Sequence, residues 1–379
     1  MDRRDFLRAG SLAGLASALP TGLAAEGAAG LLAPFRGLGT QASPLRLNAN
    51  ENPLGISPKA RAAAIDALAV GNRYTDNWAE PFQARLATHL GLTPGHLFLG
   101  NGSTEILQMA VQALGGDGAR IITAHPTFED VATYRLPLGT ELVSVPLDAR
   151  HAHDLGRMRD EARRSPGLSV VYLCNPNNPT GTLTPHDEMA AWMDEADDDV
   201  FFLVDEAYYE LVEDPGYRSF LSRVRDQPNL LVVRTFSKIY GMAGLRMGYG
   251  VAHPETVDRI TPYMANNNTN QVAIAAASAS LDDPDHVRRS LESNRAAGAV
   301  VAGTLDELGF AALPSHTNFV MHEIGMDVAA YQRLFREAGI AVGRAFPPML
   351  RHNRLSLGTP EEMGRWAETL RGLRRRGLV

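Results

Sequence analysis

Lysine is rare in this chain, and one of its two lysines lies where an amine could do chemistry. Only Lys59 and Lys238 occur among 36 basic residues. Unlike a guanidinium, a lysine amine can lose its proton near neutral pH when burial lowers its pKa. Lys238 follows the apolar run 230–233, and Ser237 and Arg246 beside it offer a hydroxyl and a guanidinium suited to a phosphate. A lysine able to form a Schiff base beside phosphate ligands predicts pyridoxal 5′-phosphate as cofactor. The alternative is a surface lysine before a glycine-rich turn.

A second feature suited to an anion lies earlier in the chain. Gly100 and Gly102 form a turn after a predicted strand, and the helix that follows opens with Ser103 and Thr104. The N-terminus of a helix presents free backbone N–H groups and favours negative charge. The turn therefore predicts further phosphate ligands, although it lacks the dinucleotide and Walker patterns.

Buried strands that alternate with helices must position these residues. The strands are predicted at 97–99, 120–123, 141–145, 168–174, 200–204, 230–234 and 247–251. Continuous apolar runs separated by helices are typical of an α/β fold with a mostly parallel, seven-stranded sheet covered on both faces. Phe128, Asn178, Asp205 and Lys238 each follow a strand, and ligands bind beyond the carboxyl ends of such strands. We therefore expect these four residues at one edge of the sheet.

The chain is long enough for two domains. Residues 73–282 are predicted to form a large cofactor-binding domain, and residues 283–379 a smaller α+β domain with a long first helix. Residues 43–72 are predicted to pack with the smaller domain.

Composition excludes several classes of function. The net charge of −7, without an extended basic patch, argues against a nucleic-acid binder. A single cysteine excludes an internal disulfide framework. None of the 11 histidines has a spacing typical of metal ligands, so no metal site is predicted.

Residues 1–30 have the layout of an export signal. Arg3 and Arg4 precede Phe-Leu and a weakly apolar segment rich in alanine and glycine, as in twin-arginine signals. That segment is too short and too rich in glycine for a stable membrane anchor. We expect export to the periplasm with the cofactor loaded beforehand; the alternative is a disordered leader on a cytoplasmic protein.

Six motifs occur in order from Leu47 onward: L-N-A-N-E-N-P, R-Y, N-P-N-N-P-T-G, V-D-E-A-Y, T-F-S-K and A-G-L-R-M-G-Y. Together they resemble the class I/II aminotransferases, fold type I pyridoxal-phosphate enzymes with the aspartate-aminotransferase-like fold. The resemblance is strongest to their histidinol-phosphate aminotransferase branch. It implies transfer of an amino group from an amino acid to a 2-oxo acid, with histidinol phosphate or an aromatic amino acid as candidate donors.

The resemblance also assigns roles to residues at the matching positions. Asp205 would contact the pyridine nitrogen, Asn178 and Tyr208 the phenolic oxygen, and Phe128 the ring face. The phosphate ligands would be Ser103, Thr104, Ser237 and Arg246.

Three further residues are assigned to substrate or subunit contacts. Arg354 would bind the substrate α-carboxylate together with Asn178, and Asn52 is predicted as a further substrate-binding residue. Tyr74 would reach the cofactor phosphate of a neighbouring subunit, which implies a homodimer with shared active sites.

Two alternatives stay open. A decarboxylase or β-lyase of the same fold is one, since the threonine-phosphate decarboxylases share much of the pattern around Lys238. The other is a cofactor-binding regulator or inactive relative, but the chain lacks room for a DNA-binding domain and keeps both Lys238 and Asp205. The segment 342–349 and the asparagines in 266–270 depart from the family pattern, and we expect them to border the side-chain pocket.

Overall fold

The computed structural model describes residues 44–116 and 118–379. The predicted export signal, residues 1–30, lies outside this range. Within it, no helix combines the length and the apolar character needed to cross a membrane.

Seven strands form one sheet in the order β2-β8-β7-β6-β5-β3-β4. They are β2 (Leu97–Gly100), β3 (Arg120–His125), β4 (Glu141–Pro146), β5 (Ser169–Cys174), β6 (Val200–Asp205), β7 (Leu230–Thr235) and β8 (Gly248–Ala252). β8 runs opposite to the other six described strands of this sheet, so the predicted mostly parallel sheet is confirmed.

Helices cover both faces of this sheet. They are α1 (Pro58–Ala67), α2 (Asp76–His89), α3 (Gly102–Leu114), α4 (Asp130–Tyr134), α5 (Leu155–Arg163), α6 (His186–Glu195), α7 (Pro254–Ile260) and α8 (Gln271–Ser280). Neighbouring residues of one strand face opposite sides, so Phe201 and Phe202 enter two separate apolar cores. Burial on both faces explains the long apolar runs of the central strands.

The C-terminal region contains a second, smaller arrangement. Its elements are α9 (Pro284–Leu308), β9 (Phe319–Glu323), α10 (Val328–Glu337), β10 (Ile340–Val342), β11 (His352–Ser356) and α11 (Pro360–Arg375). β9 and β11 pair antiparallel, and β1 (Leu45–Leu47) pairs with β10 in parallel. A third apolar core, with Tyr331 and Trp366 at its centre, packs these elements together.

The predicted N-terminal segment 43–72 is described from residue 44, and this part divides its contacts between the two regions. β1 pairs with β10, but α1 packs on α8, and its Ala60 and Ala64 belong to a core of the large sheet. The described part of the segment therefore contacts the C-terminal region through β1 and the large region through α1.

The N-termini of α11 and α6 differ in how they are capped. Thr359 and Glu362 form a reciprocal capping box, with Pro360 as the first helical residue, so α11 begins directly after β11. Thr184 precedes Pro185, a context typical of a helix N-cap, but it does not cap α6. Its hydroxyl accepts a hydrogen bond from the His153 backbone N–H, which ties two loops together, and Pro185 is the residue before the helix.

Candidate active site

A cavity of about 140 Å³ lies at the carboxyl edge of the sheet. Nine predicted site residues line it: Ser103, Thr104, Phe128, Asn178, Asp205, Tyr208, Ser237, Lys238 and Arg246. Four lining residues were not predicted: Cys174, Ala207, Thr235 and Ala243. The ends of β5, β6 and β7 and the N-terminus of α3 bring these side chains together, as expected for a parallel sheet.

The Lys238 amine is set up to be partly uncharged near neutral pH. Burial and, after it, the positive charge of Arg354 together lower the pKa of Lys238 to about 8, against the opposing effect of Asp205. Its Nζ donates a hydrogen bond to the Asn50 carbonyl oxygen at 3.3 Å and lies 5.5 Å from the Tyr208 ring centre. An amine with this pKa can act as a nucleophile and as a base.

Asp205 is a carboxylate buried at the end of β6, only 2% exposed. Burial raises its pKa to about 6, although hydrogen bonds from the Tyr172 hydroxyl (2.9 Å) and the Ala207 N–H (3.1 Å) oppose this. A buried carboxylate that forms no salt bridge within the described part of the chain is suited to binding a cationic group of a ligand. Tyr172 was missed by the sequence analysis; its hydroxyl within a buried apolar strand was the signal that it needed a polar partner.

Two glycines let the proposed phosphate ligands approach one another. A Cβ on Gly102 would overlap the Arg246 guanidinium, and a Cβ on Gly248 would overlap the backbone nitrogen of Ser103. The N-terminus of α3 has no side-chain cap. A helix N-terminus and a guanidinium held this close form a site for an anion such as a phosphate.

Arg354 and Asn178 form a second polar pair. The Arg354 Nη1 donates to Asn178 Oδ1 at 2.6 Å, while Nη2 donates to the Asn48 carbonyl at 3.0 Å. The buried Nε has no hydrogen-bond partner among the described residues, and the guanidinium lies 4.7 Å from the Phe346 ring centre and 5.5 Å from that of Phe319. Burial lowers the pKa of Arg354 to about 10. A buried guanidinium with a free N–H is suited to binding an anionic group of a ligand.

Three predicted residues are not among those that line the cavity: Arg354, which hydrogen-bonds the lining residue Asn178, Tyr74 and Asn52. Tyr74 is 80% exposed. The Asn52 amide donates to the Ile239 carbonyl (2.7 Å) and the Ser290 hydroxyl (2.9 Å), and its oxygen accepts from the Leu54 N–H, so its polar atoms are already engaged. Its role as a substrate ligand stays a prediction.

The residue of that motif that reaches the site is Asn50, whose Nδ2 donates to the Tyr208 hydroxyl at 3.0 Å. Three asparagines alternate in L-N-A-N-E-N-P, and nothing in the pattern distinguishes them. The asparagines at 266–270, in turn, do not line the cavity. Asn268 binds Glu105, and Asn270 caps α8.

The arrangement fits the predicted cofactor. Pyridoxal 5′-phosphate needs an amine, an anion site and a carboxylate for its ring nitrogen. Lys238, the glycine-permitted site around Arg246, and Asp205 supply these three functions from one cavity.

Comparison with known proteins agrees with this chemistry. Residues 42–370 match the family described as aminotransferase class I and II. A histidinol-phosphate aminotransferase of Brevibacillus brevis is 37% identical over 322 residues, which cover 84% of this chain and 87% of the relative. The histidinol-phosphate aminotransferase of Sinorhizobium meliloti, solved with pyridoxal 5′-phosphate, is 29% identical with a TM-score of 0.80, covering 87% of this chain and 91% of that one. A double mutant of Thermus thermophilus aspartate aminotransferase shares the fold, with 23% identity and a TM-score of 0.74 over 94% of this chain and all of that one.

Proposed function

The chain belongs to the class I and II aminotransferases, which carry out pyridoxal-phosphate-dependent transamination, and we propose that its donor joins an anionic group to a flat ring. Histidinol phosphate and the aromatic amino acids have this form. A 2-oxo acid is the proposed acceptor.

The surroundings of Arg354 support the proposed donor. Its guanidinium has a buried N–H with no hydrogen-bond partner among residues 44–116 and 118–379, and it lies against the rings of Phe319 and Phe346. A carboxylate or phosphate satisfies that N–H, and Asn178 adds a second polar contact. The adjacent aromatic surface favours a flat side chain over a short aliphatic one.

The other residues divide the chemistry among them. When bound, pyridoxal 5′-phosphate supplies an aldehyde for an amine and a ring that accepts electrons from the substrate. Lys238 provides the amine that binds it and then carries the proton between donor and product. Asp205 holds a proton at the ring nitrogen, and Tyr208 donates to an oxygen on the ring. By fixing the anionic group, Arg354 and Asn178 direct the α C–H bond toward Lys238.

A panel of donors tests this assignment. With 2-oxoglutarate as acceptor, kcat/KM should be at least about tenfold higher for L-histidinol phosphate or L-phenylalanine than for L-alanine, the matched donor without a ring. A preference for L-alanine or L-aspartate would contradict the proposed donor. Carbon dioxide is measured in parallel, because a decarboxylase of the same fold, which the relatives do not favour, would release it.

The proposed assembly is a homodimer with shared sites. Ile65, Leu68, Tyr74 and Tyr263 are large and exposed, and the backbone of Tyr74 accepts a hydrogen bond from Gln271, eight residues after Tyr263. Apolar side chains exposed together favour a protein interface. Because the family resemblance implies a homodimer, we propose that a second copy of the chain covers these side chains.

Mixing two inactive variants tests whether the two subunits share their active sites. Lys238→Ala and Tyr74→Ala subunits, unfolded and refolded together, should form hybrids with one intact site, so about a quarter of the wild-type sites return. No gain over the separately refolded variants, or a monomer by light scattering, would contradict the proposal.

We also propose export through the leader at residues 1–30, on the strength of Arg3 and Arg4 before an apolar segment. Arg3→Lys combined with Arg4→Lys should leave active, uncleaved enzyme in the cytoplasm. Unchanged periplasmic activity in that double variant would show that the leader has another role.

A further inference from the structure

Asn50 combines burial with a strained backbone at the edge of the cavity. The residue is 2% exposed and has a φ of 53°, in the left-handed region. Asparagine tolerates this region better than most residues, but a buried example persists only when its surroundings hold it. These features of Asn50 indicate a function beyond packing.

Two bonds to Ser356 fix the orientation of the Asn50 amide. The Ser356 hydroxyl accepts from the Asn50 N–H at 2.8 Å and donates to Asn50 Oδ1 at 2.8 Å. Because the amide oxygen faces Ser356, Nδ2 is left to donate to the Tyr208 hydroxyl oxygen at 3.0 Å. Since Tyr208 accepts this bond, its own proton is free to donate to a ligand in the cavity that it lines.

The carbonyl group of Asn50 makes a separate connection. It accepts from Lys238 Nζ at 3.3 Å and from Asn318 Nδ2 at 2.9 Å. Two residues earlier, the Asn48 carbonyl accepts from Arg354. One short segment thus contacts the amine, the tyrosine and the arginine, which lie on different parts of the chain.

We propose that Asn50 is a positioning residue that turns the Tyr208 hydroxyl proton into the cavity and keeps Lys238 aligned with Arg354. The proposal rests on the proposed roles of Tyr208 and Lys238 in transamination. Asn50 acts through these residues and is not itself assigned a contact with substrate.

The test uses the visible absorption of the cofactor-loaded protein during a pH titration, which needs no donor. The quantity read is the pH midpoint of the absorption change. A hydrogen bond donated to a group favours the deprotonated form of that group. Losing the bond that Asn50 donates to Tyr208 should therefore move this midpoint to higher pH. Asn50→Gly tolerates the positive φ and lacks only the side chain. Its midpoint should rise by up to about one unit, and kcat should fall about tenfold with little change in KM.

A double-mutant cycle separates positioning from general support. Tyr208→Phe should shift the midpoint in the same direction, and Asn50→Gly should add little in that background. If the two shifts simply add, or if Asn50→Gly melts earlier but keeps the wild-type midpoint and kcat, the proposal is overturned.

Ser356→Ala provides a second route should Asn50→Gly fail to fold. It keeps Asn50 itself and removes the two hydrogen bonds of the Ser356 hydroxyl, one to the Asn50 amide oxygen and one from the Asn50 backbone N–H. A smaller shift in the same direction is expected. No shift in Ser356→Ala would contradict the proposal. Because the titration is independent of the donor, a wrong donor assignment leaves this result intact.

Discussion

Replacing Asp205 by asparagine should stabilise the cofactor-free protein while abolishing turnover. Burial raises the Asp205 pKa from 3.8 to about 6, so the folded state holds a proton more tightly than the unfolded chain. Ionising the folded carboxyl at pH 8 therefore costs about 3 kcal/mol relative to the unfolded chain. Asparagine keeps both contacts, since its oxygen can accept from the Ala207 N–H and its Nδ2 can donate to the Tyr172 hydroxyl.

The sign of this effect sets its pH window. Because the folded pKa is the higher one, the penalty begins near pH 4 and is complete above pH 6. Asp205→Asn should exceed wild type in stability by about 1 kcal/mol at pH 4.5 and about 3 kcal/mol at pH 8. Thermal unfolding of the cofactor-free proteins measures the gap, which corresponds to several degrees at pH 8.

Two variants serve as controls. Asp226→Asn makes the same substitution at an exposed position and controls for the loss of one negative charge. Tyr172→Phe removes a bond that lowers the Asp205 pKa, so it should destabilise the cofactor-free protein more at pH 8 than at pH 4.5. An Asp205→Asn protein no more stable than wild type at pH 8 would refute the reasoning.

Four further predictions concern the amine, the arginine, the anion site and a helix cap. Lys238→Arg keeps a charge but cannot bind the cofactor covalently, so borohydride reduction should add cofactor mass to wild type alone, as measured by intact mass spectrometry. Arg354→Lys should lower kcat/KM for the best donor at least about tenfold, because a single point charge replaces the planar guanidinium. Steady-state kinetics equal to those of the wild type would contradict the proposed role of Arg354 in binding the donor. Gly102→Ala should weaken cofactor binding in an equilibrium titration, because its Cβ overlaps the Arg246 guanidinium. Thr359→Ala removes the capping box of α11 and should lower the free energy of unfolding by about 1 kcal/mol in urea titrations; an unchanged midpoint would contradict this.

The strands and the edge that carries the site were predictable because burial leaves a direct mark on sequence. Continuous apolar runs, 170–174, 200–204 and 230–233, make up most of β5, β6 and β7, and this pattern predicts a covered parallel strand whatever its neighbours are. Residues just after such strands must meet at one edge, so Asn178, Asp205 and Lys238 could be grouped.

The supporting contacts were harder to predict because they depend on how distant segments meet. Tyr172 reaches Asp205 across the β5–β6 pair, and Asn50 reaches Ser356 across 306 residues. Thr184 illustrates the same limit locally. Its position before Pro185 is typical of a helix cap, but a bond to His153, far away in sequence, determines where its hydroxyl lies. Local propensity yields to such tertiary contacts.

One turnover with α-deuterated L-phenylalanine tests the central claim most directly. Transamination with Lys238 as the proton carrier predicts that deuterium enters the solvent while phenylpyruvate and pyridoxamine 5′-phosphate form in equal amounts. The Lys238→Ala protein, loaded with the same cofactor, should release deuterium far more slowly. Release of carbon dioxide with the deuterium retained in an amine product would contradict the account.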